Sequence, residues 1–112
     1  MEKATFAAGS SRDLEAALRA LDGVRETRAG YTEEPASDAV EVDYDPWTVS
    51  YDDLLEAFWA AYDGGRPSAI FPHTVEQHLA AEASRERARR RLGTVTTEIV
   101  AGGGRFRRSA PS

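Results

Sequence analysis

The chain has 112 residues, a formal net charge of −5 and no cysteine. This length predicts one domain with a modest core, and the lack of cysteine excludes disulfides, thiolate metal sites and thiol catalysis by this chain. The N-terminus lacks the basic start and long apolar segment of a secretory signal, and no apolar run is long enough to span a bilayer. We therefore expect a cytoplasmic protein without a membrane partner.

Charge is unevenly distributed along the chain. Residues 1–84 carry six Lys/Arg and 17 Asp/Glu (net −11), whereas residues 85–112 carry eight Arg and two Glu (net +6). An acidic body repels phosphate, so we expect no nucleic-acid partner. The arginine run at 85–91 is interpreted as a solvated helix face, with docking to an acidic partner as the less favoured alternative. One lysine against 13 arginines indicates a GC-rich, bacterial source.

Hydrophobic periodicity and helix caps predict eight elements. Leu14, Leu18 and Leu21 recur at helical spacing, and Ser50 with Asp53 resembles a capping box. The predicted elements are a strand at 3–8, a helix at 12–21, strands at 24–32 and 38–45, a helix at 51–62, a strand at 68–71, a helix at 75–92 and a strand at 94–100. Thr74 is the predicted N-cap of the third helix, whose apolar positions are Val75, Leu79 and Ala83.

The first six elements follow the order β-α-β-β-α-β, which is typical of a ferredoxin-like sheet with helices on one face. We therefore predict an α+β fold with this core, a third helix and a last strand. The domain is expected to span residues 1–101. Residues 102–112, rich in Gly and Arg, are expected to form a flexible tail.

Four stretches carry a family resemblance: "ATFAAGSSRDLEAALRALDGVRETRAGYT", "AVEVDYDPWTVSYDDLLEAFWAAYD", "RPSAIFPHTVEQ" and "TTEIV". In order and spacing, over residues 4–100, the sequence resembles the A-class peptide methionine sulfoxide reductases. The resemblance implies a compact α+β domain built around a ferredoxin-like sheet.

The resemblance does not carry the reductase activity. Gly9, Ser10, Ser11 and Arg12 stand where the family has Gly-Cys-Phe-Trp. The family's cysteine attacks the sulfoxide sulfur and is left as a sulfenic acid, which another thiol resolves. A serine hydroxyl has neither the thiolate character nor the reversible oxidation that this cycle needs. The chain is therefore not expected to be a redox reductase.

The resemblance also indicates how the rest of the pocket has changed. Asp38 stands at the family's catalytic glutamate, and Tyr62 stands at a histidine of the family pattern. A segment that supplies a site tyrosine is deleted, the loop before "SAI" shrinks to "DGGRPSAI", and the tail cysteines are missing. The scaffold is kept while most of the family's active-site groups are lost.

Seven residues form the candidate site: Asp38, Ser10 and Arg12 as catalytic groups, and Ser11, Tyr31, Tyr62 and Arg66 as substrate-binding groups. Asp38 would move protons, Arg12 would anchor an anionic or carbonyl group, and Ser10 with backbone N–H groups would polarise an oxygen. Alternatives remain for each: a serine that only caps the helix, a solvated arginine, and an aspartate in a plain salt bridge. Four other aromatic residues are assigned to packing: Tyr44, Trp47, Trp59 and Phe71.

Two functions are compatible with these residues. The favoured one is a non-redox enzyme of specialised metabolism that acts on a small molecule by acid/base chemistry, as a cyclase, isomerase, dehydratase or lyase, without a cofactor. No metal is expected, because His73 and His78 at i, i+5 do not share a helix face. The alternative is a non-catalytic binding or interaction domain. A sulfoxide binder or reductase that uses an external thiol ranks last, and the oligomeric state is left open.

Overall fold

The computed structural model describes residues 1–8, 10–33, 36–62, 64, 67–101 and 106–108. Its elements are β1 (Glu2–Ala7), α1 (Ser11–Arg19), β2 (Val24–Glu33), β3 (Ala36–Tyr44), α2 (Tyr51–Ala60), β4 (Ala69–Phe71), α3 (Val75–Leu92), β5 (Glu98–Ile99) and β6 (Phe106–Arg108). The strands form one sheet in the order β5-β4-β1-β3-β2-β6.

The predicted α+β, ferredoxin-like core is confirmed. Its four strands lie in the order β4-β1-β3-β2, and each neighbouring pair is antiparallel. The short strand β5 extends the sheet parallel to β4, and β6 extends the other edge antiparallel to β2.

The two faces of the sheet are covered differently. Phe6, Val40 and Val42 point to the face that carries the helices and pack in one large buried cluster with the leucines of α1 and α2. The opposite face holds a small cluster of Ala7, Ala39, Ala69 and Phe71. Because successive side chains of a strand alternate between faces, every second residue in the middle of β1 and β3 belongs to the large core. We call the two sides the helix face and the open face.

Helices α2 and α3 begin at the residues that the sequence predicts, and α1 begins at Ser11, one residue before its predicted start. The Ser10 hydroxyl accepts from the Asp13 N–H at 3.2 Å, and Ser50 and Asp53 form the expected reciprocal capping box. Thr74 accepts from the Gln77 N–H at 3.0 Å. These bonds satisfy N–H groups that a helix start otherwise leaves without a partner.

The buried face of α3 differs from the prediction. Its buried residues are Gln77, Ala81, Ser84 and Ala88. The expected apolar positions Val75, Leu79 and Ala83 are exposed, so that prediction is wrong. The helix packs closely through small residues and buried hydrogen bonds, and the Trp59 indole N–H donates to the Ser84 hydroxyl at 2.7 Å. Val75 and Leu79 instead line an open groove of about 350 Å³.

The assignment of Trp47 to packing is also wrong, because its side chain is 95% exposed. It lies on the turn between β3 and α2, where the Asp45 carboxylate accepts from the Trp47 N–H and from the Thr48 hydroxyl, each at 3.0 Å. This turn holds the indole away from the core. The other three aromatic residues assigned to packing, Tyr44, Trp59 and Phe71, are buried as predicted.

Strand β6 lies in the segment for which the sequence predicted only a tail. Its pairing with β2 depends on Gly30, since a Cβ at that position would lie 2.2 Å from the Arg107 carbonyl oxygen and 2.5 Å from the Phe106 ring. The absence of a side chain therefore lets β6 approach the sheet edge. The rest of the expected tail, residues 102–105 and 109–112, lies outside the described residues.

Candidate functional site

The candidate site lies at the end of the sheet where β1 leads into α1. Ser10 adopts an extended backbone and caps α1. Its oxygen accepts one backbone N–H, so the capping interpretation of this serine is confirmed. Asp13 follows in the first turn, where a carboxylate interacts favourably with the positive end of the helix dipole.

Asp38 lies on the helix face at the same end of the sheet. It is two residues from buried Val40, which pairs with Phe6 of β1. The β1–β3 pairing ends at Phe6 and Val40, and Asp38 lies two residues beyond it on β3, towards the end of the sheet where β1 leads into α1. The residue is exposed, so its carboxylate is accessible to solvent.

Tyr31 of β2 is the direct cross-strand partner of Asp38. Directly opposite residues of an antiparallel pair point to the same face, with Cβ atoms about 5 Å apart. The Tyr31 side chain is 44% exposed. The register of β2 and β3 therefore presents a phenol and a carboxylate side by side to solvent.

Two charged residues that sequence reasoning missed lie beside this pair. Arg107 of β6 is the direct partner of Tyr31 on its other side, and its Nε donates to the Glu33 carboxylate at 2.5 Å. This hydrogen bond and the charge of Glu33 raise the pKa of Arg107. The sequence offered one weak signal, the alternation of arginine and phenylalanine at 105–107, which is too short to predict a strand.

The other predicted site residues are less closely grouped. Ser11 is half-buried and Arg12 is exposed, both in the first turn of α1. The Tyr62 ring packs edge-on against Trp59 at 5.3 Å, and its hydroxyl accepts from the Thr96 N–H at 3.3 Å. This bond ties Tyr62 towards the β5 side of the sheet, whereas Tyr31 lies towards β6.

Arg66 lies outside the described residues, as does Gly9 of the junction. The catalytic and binding roles assigned from the sequence to Asp38, Ser10, Arg12, Ser11, Tyr31, Tyr62 and Arg66 therefore stay predictions.

A second charged cluster occupies the open face. The Arg28 guanidinium donates to Asp43 at 2.9 and 3.0 Å and to Glu41 at 2.9 Å. The hydrogen bonds that Asp43 accepts from Arg28 lower the pKa of Asp43. Lys3 adds a contact with Glu41 at 4.0 Å. We call Lys3, Arg28, Glu41 and Asp43 the charged ladder; its groups are paired with one another and lie on the face opposite Asp38.

The two histidines have separate partners at the start of α3. His73 Nε2 lies 2.9 Å from the Thr5 hydroxyl, and burial lowers its pKa. His78 lies 3.2 Å from Glu82, one turn along the helix. In the described part of the chain, no group of three or more His, Asp or Glu side chains is arranged to hold a metal ion. Nor does any helix there have the length and apolarity to cross a membrane.

Comparison with known proteins agrees with the fold. The sequence pattern of the family described as peptide methionine sulfoxide reductase matches residues 2–106. The chain belongs to this family. It lacks the cysteine on which the family's reduction cycle depends, because no cysteine occurs anywhere in its sequence.

Two relatives illustrate the similarity. The peptide methionine sulfoxide reductase MsrA of Methanoculleus marisnigri is 38% identical over 77% of this chain and 69% of its own length. The MsrA of Geobacter metallireducens is 40% identical over 78% of this chain and 70% of its own. The alignments thus leave about three-tenths of each relative unmatched.

Solved structures of reductases share the fold at lower identity. Methionine sulfoxide reductase A of Corynebacterium diphtheriae superposes with a TM-score of 0.81 at 23% identity, over 96% of this chain and 69% of that one. Mxr1 of Saccharomyces cerevisiae, in its complex with Trx2, gives a TM-score of 0.83 at 20% identity, over 96% and 80%. The reductase scaffold is therefore kept by a chain without its nucleophile.

Proposed function

We propose that this protein is a non-redox member of the reductase family that binds a small molecule at the β1–α1 junction and transforms it by acid/base chemistry. The observation that carries the proposal is the pairing of Asp38 with Tyr31 across β2 and β3. A carboxylate and a phenol side by side can take up and return a proton at neighbouring atoms of one ligand. Neither group needs sulfur, a metal or a cofactor.

The start of α1 adds a second element to the proposal. The backbone N–H groups and the dipole of a helix start favour a partial negative charge on a ligand oxygen. Asp38 and this helix start lie at one end of the helix face. The reactions that need a proton shuttle and a polarised oxygen include cyclisation, isomerisation, dehydration and related lyase steps. A role in specialised metabolism is compatible with such chemistry.

The test is turnover by the full chain with a matched pair of variants. Purified protein is added to a metabolite extract from a strain that lacks its gene, and the extract is followed by mass spectrometry. We expect one small compound to be consumed, and Asp38→Asn to slow its consumption about 100-fold or more, the contribution typical of a positioned acid or base. Asp22→Asn, an exposed acid in the turn before β2, should leave the rate unchanged.

A binding or interaction domain without catalysis is the second candidate. It is favoured by the exposure of Arg12 and Asp38, since exposed charges bind ligands but are poorly shielded from water during a reaction. In that case a compound in the extract stabilises the protein against heat and is recovered unchanged. Recovery of a product would eliminate this candidate, and normal turnover by Asp38→Asn would eliminate the proposed proton shuttle.

A further inference from the structure

Strand β6 brings a cation to the candidate site. Arg107 pairs directly with Tyr31, and Tyr31 pairs directly with Asp38. All three side chains point to the helix face, because direct partners in antiparallel strands share a face. We call Asp38, Tyr31 and Arg107 the cross-strand row. It places a carboxylate, a phenol and a guanidinium on three successive strands, with its ends about 10 Å apart at the backbone.

The row is open to solvent and its cation is held in place. The Arg107 side chain is 60% exposed, and its Nε is bound to Glu33, which lies two residues from Tyr31 on the same strand and face. A guanidinium has five N–H donors in a planar fork, so one bond through Nε leaves donors for a second oxygen anion. Glu33 therefore orients the arginine without using all of its donors.

The docking of β6 is specified by the sequence of β2. A Cβ at Gly30 would clash with the backbone carbonyl oxygen of Arg107, so any other residue at this position would force β6 to shift. Phe106 packs over the same glycine. The close approach of β6 is thus a built contact, and it fixes the position of Arg107 along the row.

We infer that Arg107 is the anion-binding residue of the candidate site, and that the ligand has a carboxylate or similar oxyanion at one end and a hydrogen-bond donor, such as a hydroxyl, at the other. The anion pairs with the guanidinium, which binds planar oxyanions through parallel N–H bonds. The donor end meets Asp38, whose carboxylate only accepts hydrogen bonds. An anionic group at the Asp38 end would meet a like charge, so the row also fixes the orientation of the ligand. The inference rests on the proposed function for the location of the ligand site, but it does not require that the ligand undergo acid/base chemistry there.

The experiment measures the coupling between ligand charge and Arg107. The ¹⁵N-labelled full chain is titrated with 4-hydroxybenzoate, 4-hydroxybenzamide and benzoate, and amide shifts are followed by NMR. In the wild type we expect shifts at the cross-strand row. 4-Hydroxybenzoate should bind tenfold or more tightly than the neutral amide, as a charge-assisted bond predicts. It should also bind a few-fold more tightly than benzoate, which lacks the donor.

Two variants of adjacent arginines provide the decisive comparison. Arg107→Gln should abolish the preference for 4-hydroxybenzoate over the amide. Arg108→Gln is the control, because Arg108 pairs with Gly30 and therefore points to the open face; it should keep the preference. Gly30→Ala should lose the preference as well, with the amide signals of 106–108 shifted as β6 is displaced.

Three results would overturn the inference: no shift at the row in the wild type, a preference that survives Arg107→Gln, or an equal loss in Arg108→Gln. Equal affinity for benzoate and 4-hydroxybenzoate would refute the binding of a hydrogen-bond donor of the ligand by Asp38. The outcome is separable from that of the proposed function. Charge preference with normal turnover by Asp38→Asn leaves an anion site without the proposed catalysis. Turnover that depends on Asp38 but not on Arg107 leaves catalysis without this anion site.

Discussion

Arg28 holds three carboxylates together on the open face, and its removal gives a sharp test of the energetics of the sheet. The guanidinium is 11% exposed and lies within 2.9 to 3.3 Å of Asp43, Glu41 and Glu26. Arg28→Met keeps most of the chain length but leaves these acids facing one another. Breaking a fully buried ion pair typically costs 3–5 kcal/mol. Glu41 and Asp43 remain 16% and 25% exposed, so we expect a smaller loss of about 2–3 kcal/mol at neutral pH.

The loss should depend on pH with a definite sign. The hydrogen bond from Arg28 is the largest cause that lowers the pKa of Asp43 in the folded protein. The folded state therefore binds fewer protons than the unfolded chain. This stabilisation is fully present above the unfolded pKa, about 4, and is lost as the pH falls through the folded pKa. Because Arg28→Met lacks it, the difference in unfolding free energy between wild type and variant should narrow towards pH 3.

Urea unfolding at pH 7 and pH 3, followed by circular dichroism, measures both free energies. Arg25→Met is the matched control, since Arg25 is mostly exposed and lies 3.7 Å from Asp45; its effect should stay within about 0.5 kcal/mol. A gap for Arg28→Met that is the same at both pH values would refute the electrostatic reasoning. The loss would then come from the packing of the arginine side chain.

Two further predictions concern single hydrogen bonds. Ser10→Ala should lower the unfolding free energy by about 1 kcal/mol, the usual cost of losing an N-cap, and Ser10→Asp should restore it; equal thermal midpoints for wild type and Ser10→Ala would show that the cap contributes nothing. Ser84→Ala leaves the buried Trp59 indole N–H without its 2.7 Å acceptor and should cost about 1–3 kcal/mol in urea unfolding. In the Trp59→Phe background, Ser84→Ala should lower the unfolding free energy by less than it does in the wild type. Strictly additive effects of the two substitutions would contradict a direct hydrogen bond.

The features predicted correctly from the sequence are those set by neighbouring residues. Each N-cap hydroxyl accepts a hydrogen bond from the backbone N–H three residues later, so the caps at Ser10, Ser50 and Thr74 follow from local spacing. The order of helices and strands then leaves few sheet topologies, and the ferredoxin-like one is found. The role that the family resemblance assigns to Asp38 stays a prediction.

The features that were missed depend on contacts distant in the chain. Val75 and Leu79 have helical spacing, but α3 buries its small residues instead, and Ser84 among them accepts a hydrogen bond from the Trp59 indole. Strand β6 has only three residues, and its pairing depends on Gly30, more than 70 positions earlier. No local pattern encodes such a contact. The proposed role of Arg107 could therefore be inferred only from the strand pairing.

The cross-strand row and the lost nucleophile belong to different parts of the scaffold. A reductase cysteine at Ser10 would depend on the start of α1, which favours a thiolate; here that position is filled by an oxygen that caps the helix. Asp38, Tyr31 and Arg107 lie instead on β3, β2 and β6, and their mutual positions are fixed by backbone pairing. Groups fixed in this way keep their geometry whatever residue stands at position 10. The loss of redox chemistry therefore does not by itself remove the proposed ligand site, and Ser10→Asp, which keeps the cap, should leave the proposed anion binding at Arg107 intact.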